Sequence, residues 1–289
     1  MKPAPFQYHA PDTVEEAAEM LSSLEESKLL AGGQSLVPIL SLRLTRFEHL
    51  IDLGRVSQLR GIERTNGTVT IGAMTTQAEV GASEIVARGV PLVAKATPLI
   101  GHFQIRNRGT LGGSVAHADP SAEYPAVAAA LDADMVLTNS SGTRRVAAAD
   151  FFQSTFMTSI QDDEILTSVE FPVWGPRSGF AAYEVARRHG DFALVGAVVG
   201  VELDGPKVGR AAIALFGVGG TPHRARAAEA ALNGSAAAAV DLAEIGRLAA
   251  ADLDPPGDVH ASAAYRREIA GVVVQRALGS AVEEAIASA

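Results

Sequence analysis

Two pairs of adjacent glycines, each flanked by short polar side chains, constrain this chain more than any other feature. The first glycine segment is Ala31-Gly32-Gly33-Gln34-Ser35-Leu36, and the second is Thr110-Leu111-Gly112-Gly113-Ser114. Adjacent glycines are expected where the backbone bends sharply or approaches another group closely. We therefore predict that the two segments converge on one ligand that carries phosphate groups.

The first glycine segment lies between a strand predicted for residues 28–31 and a helix predicted for residues 35–44. At the start of a helix, backbone N–H groups are free and the helix dipole favours an anion. The glycines alone favour a tight turn without a ligand. Because Gln34 and Ser35 add polar side chains at the same junction, an anion site becomes a comparable interpretation.

Composition excludes several kinds of site. The chain has 289 residues, a net charge of -9 and no cysteine. The negative charge argues against nucleic acid as a partner. The absence of cysteine excludes disulfides, thiolate zinc sites and cysteine-bound iron–sulfur clusters within the chain. The sequence also shows no paired histidines at metal-binding spacing, no Ser-His-Asp set and no pair of catalytic carboxylates, so we predict neither a metal site nor a catalytic side chain.

Nothing in the sequence predicts a membrane segment. The chain begins with polar residues that do not resemble a signal peptide. Its most apolar run, residues 192–203, is too short to cross a bilayer. We expect a soluble, cytoplasmic protein.

Hydrophobic periodicity and turn residues predict alternating helices and strands over the first 171 residues. Thr13 and Glu16 have the spacing of a capping box, and Asn66-Gly67 predicts a hairpin turn. Thr75 or Thr76 is expected to cap a short helix. Further helices are expected over residues 82–96 and 123–131, a surface loop over 101–109, a hairpin over 134–147, and strands over 48–53, 68–73 and 163–171.

The composition changes at residues 172–178, where prolines and a glycine indicate a domain boundary. Three strands are predicted beyond it, over residues 179–187, 192–203 and 207–218, with Asp204-Gly205 as a tight turn. Three helices are predicted to begin near residues 221, 241 and 262. We expect an α+β domain in which helices cover one face of a small antiparallel sheet.

Four segments, in this order along the chain, resemble those of a known family. They are the two glycine segments, the second extended back to Arg106, together with Ile71-Gly72-Ala73-Met74-Thr75 and Arg187-Arg188-His189-Gly190-Asp191-Phe192-Ala193. The chain resembles the FAD-binding medium subunit of the molybdenum hydroxylases, which include carbon monoxide dehydrogenase and bacterial xanthine dehydrogenase. The resemblance implies an α+β fold: a two-part FAD-binding unit of the vanillyl-alcohol-oxidase (PCMH) type, residues 1–55 and 56–174, and a small C-terminal domain, residues 178–289.

The resemblance also implies non-covalent FAD between the first two parts, with its diphosphate at the two glycine segments. Two of the implied flavin contacts have a structural alternative: Leu166 as a core residue of a strand, and Tyr183 as a half-buried residue of a strand. The family often has Asp where this chain has Glu123, and often Lys where it has Glu184, so the role of that lysine is not carried over. The cofactor-binding residues predicted in this way are Leu30, Ala31, Gly32, Gly33, Gln34, Ser35, Leu36, Thr75, Ile100, His102, Thr110, Gly112, Gly113, Ser114, Glu123, Leu166 and Tyr183.

The function implied by the resemblance is electron transfer. In that family a large subunit with a molybdenum cofactor hydroxylates a substrate, and 2Fe-2S clusters on a small subunit pass electrons to FAD for delivery to an external acceptor. Because this chain has no cysteine, the clusters must lie on a partner, and we expect a dimer of heterotrimers. Two alternatives remain: a self-contained flavin oxidase or dehydrogenase of the vanillyl-alcohol-oxidase type, and an assembly protein without flavin. The small C-terminal domain argues against the first, and the intact glycines argue against the second.

Overall fold

The N-terminal part of the chain is a three-stranded parallel sheet with two helices. The structure, a computed structural model, describes residues 1–288. Thr13 caps the first helix as predicted, because its hydroxyl accepts the Glu16 N–H. The strand order is β1-β3-β2, and the first glycine segment connects β2 to α2. The elements are β1 (Gln7–His9), α1 (Val14–Ser23), β2 (Ser27–Leu30), α2 (Leu36–Ser41) and β3 (His49–Asp52).

The middle part is built on a five-stranded antiparallel sheet in the order β4-β5-β10-β6-β7. Asn66 and Gly67 have φ angles of 50° and 80° and form the predicted hairpin turn. The elements are β4 (Ile62–Thr65), β5 (Thr68–Gly72), α3 (Gln77–Ala82), α4 (Glu84–Gly89), α5 (Pro91–Ala96), α6 (Phe103–Arg106), α7 (Leu111–His117), α8 (Glu123–Ala130), β6 (Asp134–Asn139), β7 (Gly142–Ala147), α9 (Ala148–Phe151), β8 (Phe152–Ser154), β9 (Met157–Thr158) and β10 (Ile165–Pro172).

The middle part differs from the sequence prediction at three places. Residues 82–96 form two helices instead of one, because Pro91 has no N–H with which to continue α4 and begins α5 instead. The predicted loop over residues 101–109 contains the four-residue helix α6. In addition, the second glycine segment is the cap and first turn of α7 and not an open loop. Of the two threonines considered as a cap for α3, Thr76 is the one that caps it.

The C-terminal part has a four-stranded antiparallel sheet followed by three helices. The helix predicted to start near residue 221 begins at Arg226, because His223 and Arg224 first pair with Leu215 and Ala214 as a short fourth strand. Gly205, with a φ of 57°, makes the predicted turn between two of the strands. The elements are β11 (Ser178–Val185), β12 (Val195–Asp204), β13 (Lys207–Phe216), β14 (His223–Arg224), α10 (Arg226–Leu232), α11 (Leu242–Ala250) and α12 (Ala263–Ala287).

Both faces of this C-terminal sheet are covered. On β11, Phe180 and Ala182 face the core of the middle part, which includes residues of α5 and α8. The alternate residues Ala181 and Tyr183 face a separate core shared with α11 and α12. The helices of the middle part thus cover the sheet face that the C-terminal helices leave open. No helix within residues 1–288 has the length and apolar character needed to cross a membrane.

Candidate cofactor site

The two glycine segments lie against each other. An ideal Cβ atom on Gly32 would be 2.1 Å from the carbonyl oxygen of Arg108 and 2.7 Å from the Cα of Gly109. A Cβ on Gly113 would be 3.3 Å from the Cβ of Ala31. Real Cβ atoms do not approach a backbone oxygen as closely as 2.1 Å, so glycine at position 32 is what permits this approach.

The turn of the first glycine segment presents free backbone donors. Gly33 has a φ of 72°, and its carbonyl accepts the Val37 N–H at 3.1 Å. The Gln34 side chain folds back and donates to the Gly32 carbonyl at 3.0 Å. Within residues 1–288, no acceptor takes the N–H groups of Gly33, Gln34, Ser35 or Leu36. Successive free N–H groups in a turn form a concavity that suits an anion.

The second glycine segment does not offer the free donors that the sequence led us to expect. The Leu111 N–H donates to the Thr75 carbonyl at 3.1 Å, and the Gly112 N–H donates to the Ala73 carbonyl at 3.0 Å. The Gly113 N–H is taken by the Thr110 hydroxyl at 3.0 Å. A Cβ on Gly112 would lie 2.4 Å from that of Ala73. Glycine at position 112 therefore permits α7 to pack closely against Ala73, directly after β5.

Several predicted site residues are buried behind this surface. The Thr75 hydroxyl donates to the Gly61 carbonyl and accepts the Gly61 N–H, both at 3.1 Å. Thr110 is buried as the α7 cap, and Ile100 and Leu166 belong to the core of the middle part. In and beside the two glycine segments, the partly accessible members are residues 30–36, Gly113 and Ser114.

His102 lies at a contact between the middle and C-terminal parts. A Cβ on Gly190, whose φ is 83°, would be 2.3 Å from the His102 ring, and the His102 and His189 ring centroids are 5.7 Å apart. A second histidine, His117 at the end of α7, stacks on Phe156, with ring centroids 4.9 Å apart. Burial lowers the pKa of His117. The structure therefore gives the two histidines separate surroundings.

Tyr183 is not brought to the glycine segments by any contact in the structure. It lies on the face of β11 that packs on the C-terminal helices. Its hydroxyl accepts a hydrogen bond from Arg276 Nη1, and the Arg276 guanidinium lies over the ring, 5.2 Å from its centroid. The next residue, Glu184, points to the opposite face, toward the middle part.

Glu123 and Glu184 are two carboxyl groups at the contact between these parts. Glu123, the first residue of α8, is 6% exposed, and Glu184 has a buried Oε2 without a hydrogen-bond partner in the described chain. Burial raises the pKa of Glu184 to about 7. Burial, and then the Glu184 charge, raise the pKa of Glu123 to about 8. In the sequence, Glu184 stood out only as an acidic residue at a position where the family often has lysine.

Two further residues of the site were missed from the sequence. Arg108 supplies the carbonyl against which Gly32 packs, although its type gave no hint of this backbone role. Gln77 is buried, its N–H donates to the Gly109 carbonyl at 2.8 Å, and its Oε1 has no partner within residues 1–288. Both roles depend on contacts between segments far apart in sequence, so no local pattern could have revealed them.

Two family profiles match this chain. The FAD binding domain in molybdopterin dehydrogenase matches residues 4–174, and the CO dehydrogenase flavoprotein C-terminal domain matches residues 181–281. The 6-hydroxypseudooxynicotine dehydrogenase complex subunit alpha of Paenarthrobacter nicotinovorans is 40% identical, over 99% of this chain and 97% of its own length. The carbon monoxide dehydrogenase medium chain of Hydrogenophaga pseudoflava is 39% identical, over 97% of this chain and 98% of its own.

Solved structures give the same result. A chain of the Hydrogenophaga pseudoflava carbon monoxide dehydrogenase that lacks the Mo-pyranopterin moiety of its molybdenum cofactor has a TM-score of 0.94 and 41% identity, covering 98% of this chain and 99% of that one. A chain of quinoline 2-oxidoreductase from Pseudomonas putida 86 has a TM-score of 0.94 and 37% identity, covering 99% and 100%. These matches confirm the family and the fold class predicted from the sequence. The chain belongs to the FAD-binding medium subunits of the molybdenum hydroxylases and is a flavoprotein subunit of a multi-subunit oxidoreductase.

Proposed function

We propose that this chain binds the FAD diphosphate at the turn of the first glycine segment and carries electrons for a molybdenum hydroxylase complex. The observation that carries the proposal is the run of N–H groups at Gly33, Gln34, Ser35 and Leu36, which no acceptor within residues 1–288 takes. A diphosphate has the charge and the acceptor oxygens that such a turn lacks.

The neighbouring residues also fit a cofactor of this kind. Gly32 and Gly113 have no side chains, so a ligand can approach the backbone where the two glycine segments meet. Ser114 is partly accessible and adds a hydroxyl next to Gly113. Of the other predicted contacts, those that are buried, such as Leu166 and Ile100, would form the apolar wall behind the cofactor.

In this proposal the protein supplies binding and orientation, and bound FAD supplies the redox chemistry. The turn donates hydrogen bonds to the phosphate oxygens. The Gly112 and Leu111 N–H groups hold α7 to residues 73–75, which fixes the second glycine segment against the first. No side chain is required as nucleophile or general acid.

The electron route follows from the composition and from the relatives. Because the chain has no cysteine, it lacks the ligands of an iron–sulfur cluster. Relatives are named as a medium chain or as the subunit of a complex, which supports partner subunits. We propose a cytoplasmic heterotrimer with an iron–sulfur small subunit and a molybdenum large subunit, doubled into a dimer, in which the 2Fe-2S clusters deliver electrons to FAD and FAD delivers them to an external acceptor.

The change from one sheet to the next supports the proposed domain limits. The parallel sheet ends with β3, the five-stranded sheet extends from β4 to β10, and the last sheet begins with β11. We therefore keep limits of 1–55, 56–174 and 178–289 as the proposed domains.

Affinity purification of the tagged full chain from its native cells tests the complex. The expected result is co-purification of a cysteine-rich subunit with iron and a large subunit with molybdenum, and reduction of the flavin when substrate is added. Purification of a single flavin-containing chain that oxidises a small substrate by itself would contradict the proposal and favour a self-contained flavoenzyme.

A further inference from the structure

We propose that Arg106 is a positioning residue of the cofactor site. Its guanidinium closes the segment of residues 100–106 on itself, and this closure holds the backbone of Arg108 and Gly109 against the first glycine segment. The inference rests on the proposed function, because only that proposal places FAD at the first glycine segment. The closure itself is a property of this chain and can be measured without FAD.

The Arg106 side chain turns back on the residues that precede its own helix. Arg106 is the last residue of α6. Its Nη1 atom donates to the carbonyl oxygens of Ile100 and Gly101, both at 2.8 Å, and lies 3.5 Å from the carbonyl oxygen of Pro98. Arg106 is partly buried, whereas residues 102–105 before it are exposed. One nitrogen atom therefore joins the end of α6 to the chain that leads into this helix.

The two carbonyl groups depend on Arg106 for a donor. Within residues 1–288, no backbone N–H and no other side chain donates to the carbonyl oxygen of Ile100 or Gly101. Gly101 has a φ of 48°, and an ideal Cβ on it would lie 3.4 Å from the Ile105 side chain, so the chain turns sharply beside α6. A planar guanidinium directs its N–H bonds at fixed angles, which suits two carbonyl groups on one turn.

The closed segment leads directly to the backbone on which the first glycine segment packs. After α6, the N–H groups of Arg108 and Gly109 donate to the Ile105 carbonyl at 3.1 and 2.7 Å. The Gly109 carbonyl accepts the Gln77 N–H at 2.8 Å. An ideal Cβ on Gly32 would be 2.1 Å from the Arg108 carbonyl oxygen and 2.7 Å from the Gly109 Cα. The position of this backbone therefore depends on α6 on one side and on α3 on the other.

Loss of the two guanidinium contacts should loosen α6 and the backbone that follows it. The loss of a hydrogen bond from a charged donor shifts a local opening equilibrium by about tenfold or more. When residues 100–109 open, Gly32 loses the surface on which it packs, and the free N–H groups of the first glycine segment lose their fixed direction. Because a site binds in proportion to the fraction of time it is formed, FAD affinity should fall by about the same factor.

The first test is FAD titration of the purified full chain, followed by flavin fluorescence. Arg106→Lys keeps the positive charge but replaces the planar group by a compact ammonium, so it separates positioning from simple attraction of an anion. The dissociation constant of FAD should rise by about tenfold or more in this variant. Arg64→Lys, at an exposed position on β4, is the matched control and should keep the wild-type value. A wild-type dissociation constant in Arg106→Lys would overturn the positioning role.

Hydrogen–deuterium exchange gives a readout that does not depend on FAD. In Arg106→Lys without FAD, peptides that cover residues 100–109 should exchange about tenfold faster than in the wild type, and peptides from β12 should exchange at the wild-type rate. Unchanged exchange over residues 100–109, or equally faster exchange in β12, would overturn the inference. If the exchange changes as expected but the wild-type chain binds no FAD, the proposed function fails while the closure by Arg106 stands.

Discussion

Gly32 packs directly on Arg108: a Cβ atom at Gly32 would lie 2.1 Å from the Arg108 carbonyl oxygen. This contact joins the first glycine segment to the loop that leads into the second, although the two residues are far apart in the sequence. The Arg108 carbonyl oxygen accepts none of the N–H groups of the first segment. These N–H groups therefore remain available to a ligand.

Gly32→Ala should separate the two glycine segments. The added methyl group has no space against a backbone oxygen, so overpacking should lower the free energy of unfolding by about 1–3 kcal/mol. FAD affinity should fall at least tenfold, measured by fluorescence titration. Gly219→Ala is a suitable control, because its Cβ would meet only an atom at 3.9 Å. Unchanged FAD affinity in Gly32→Ala would contradict the account.

Gly113→Val should abolish FAD binding and leave the C-terminal sheet folded. A Cβ at this position would already lie 2.7 Å from the Thr110 hydroxyl and 3.3 Å from Ala31, so valine would disturb both the α7 cap and the meeting of the two segments. Flavin absorbance after gel filtration measures the first effect, and protease resistance of the C-terminal part measures the second. Normal flavin content would show that the diphosphate lies elsewhere.

Thr75→Val should destabilise the protein without exposing new surface. The Thr75 hydroxyl is buried and makes two hydrogen bonds to Gly61, so valine would remove both; the Gly61 carbonyl keeps the Gly72 N–H, while the Gly61 N–H loses its partner. The expected loss in the free energy of unfolding is about 1–3 kcal/mol. Urea denaturation gives this value, with Thr76→Ser, which keeps the hydroxyl of the α3 cap, as the control. A loss within error of that control would be contrary to the prediction.

Glu123→Gln should change how stability depends on pH. The pKa of Glu123 is raised from its ordinary 4.5 to about 8 in the folded protein, so the folded state binds this proton more tightly than the unfolded chain. The contribution of this proton to stability is then fully present below about pH 4.5 and is lost as the pH rises through about 8. The variant should exceed the wild type by roughly 1–3 kcal/mol near pH 8.5 and gain little near pH 4.5. Urea denaturation of both proteins between about pH 4.5 and about pH 8.5 measures this difference in stability. A variant less stable than the wild type at pH 8.5 would contradict the prediction.

Tyr183→Phe should leave FAD binding unchanged. The hydroxyl accepts a hydrogen bond from Arg276, on the face of β11 that packs on α12. Its loss should cost about 0.5–1.5 kcal/mol of stability, as for an ordinary hydrogen bond, and should alter the FAD dissociation constant by less than about twofold. A shifted flavin spectrum in this variant would instead support Tyr183 as a flavin neighbour.

Local signals in the sequence predicted much of the fold. The Thr13–Glu16 capping spacing, the Asn66-Gly67 turn and the Gly205 turn all appear in the structure, because each depends on residues adjacent in the chain. The two-residue strand β14 was missed, because it exists only through pairing with β13. The break at Pro91 was missed although the residue itself marks it.

For the site, the sequence identified the glycines but not how they are used. Both segments were expected to present free N–H groups, whereas only the first does. The N–H groups of Leu111 and Gly112 are taken by carbonyls of residues 73–75. That outcome depends on how α7 packs against β5, and so does the burial of Thr75. Likewise, strand alternation predicts the side of β11 on which Glu184 lies. The burial of its carboxyl group there depends on how the middle and C-terminal parts of the chain pack together.

The most direct test of the central claim is the visible absorption spectrum of the purified full chain, incubated with FAD and freed of unbound cofactor by gel filtration. The account predicts a yellow protein with about one FAD per chain, released by acid because it is not covalently attached, and a much lower content in Gly32→Ala. A colourless protein that retains no FAD, or a Gly32→Ala variant with full FAD content, would contradict it.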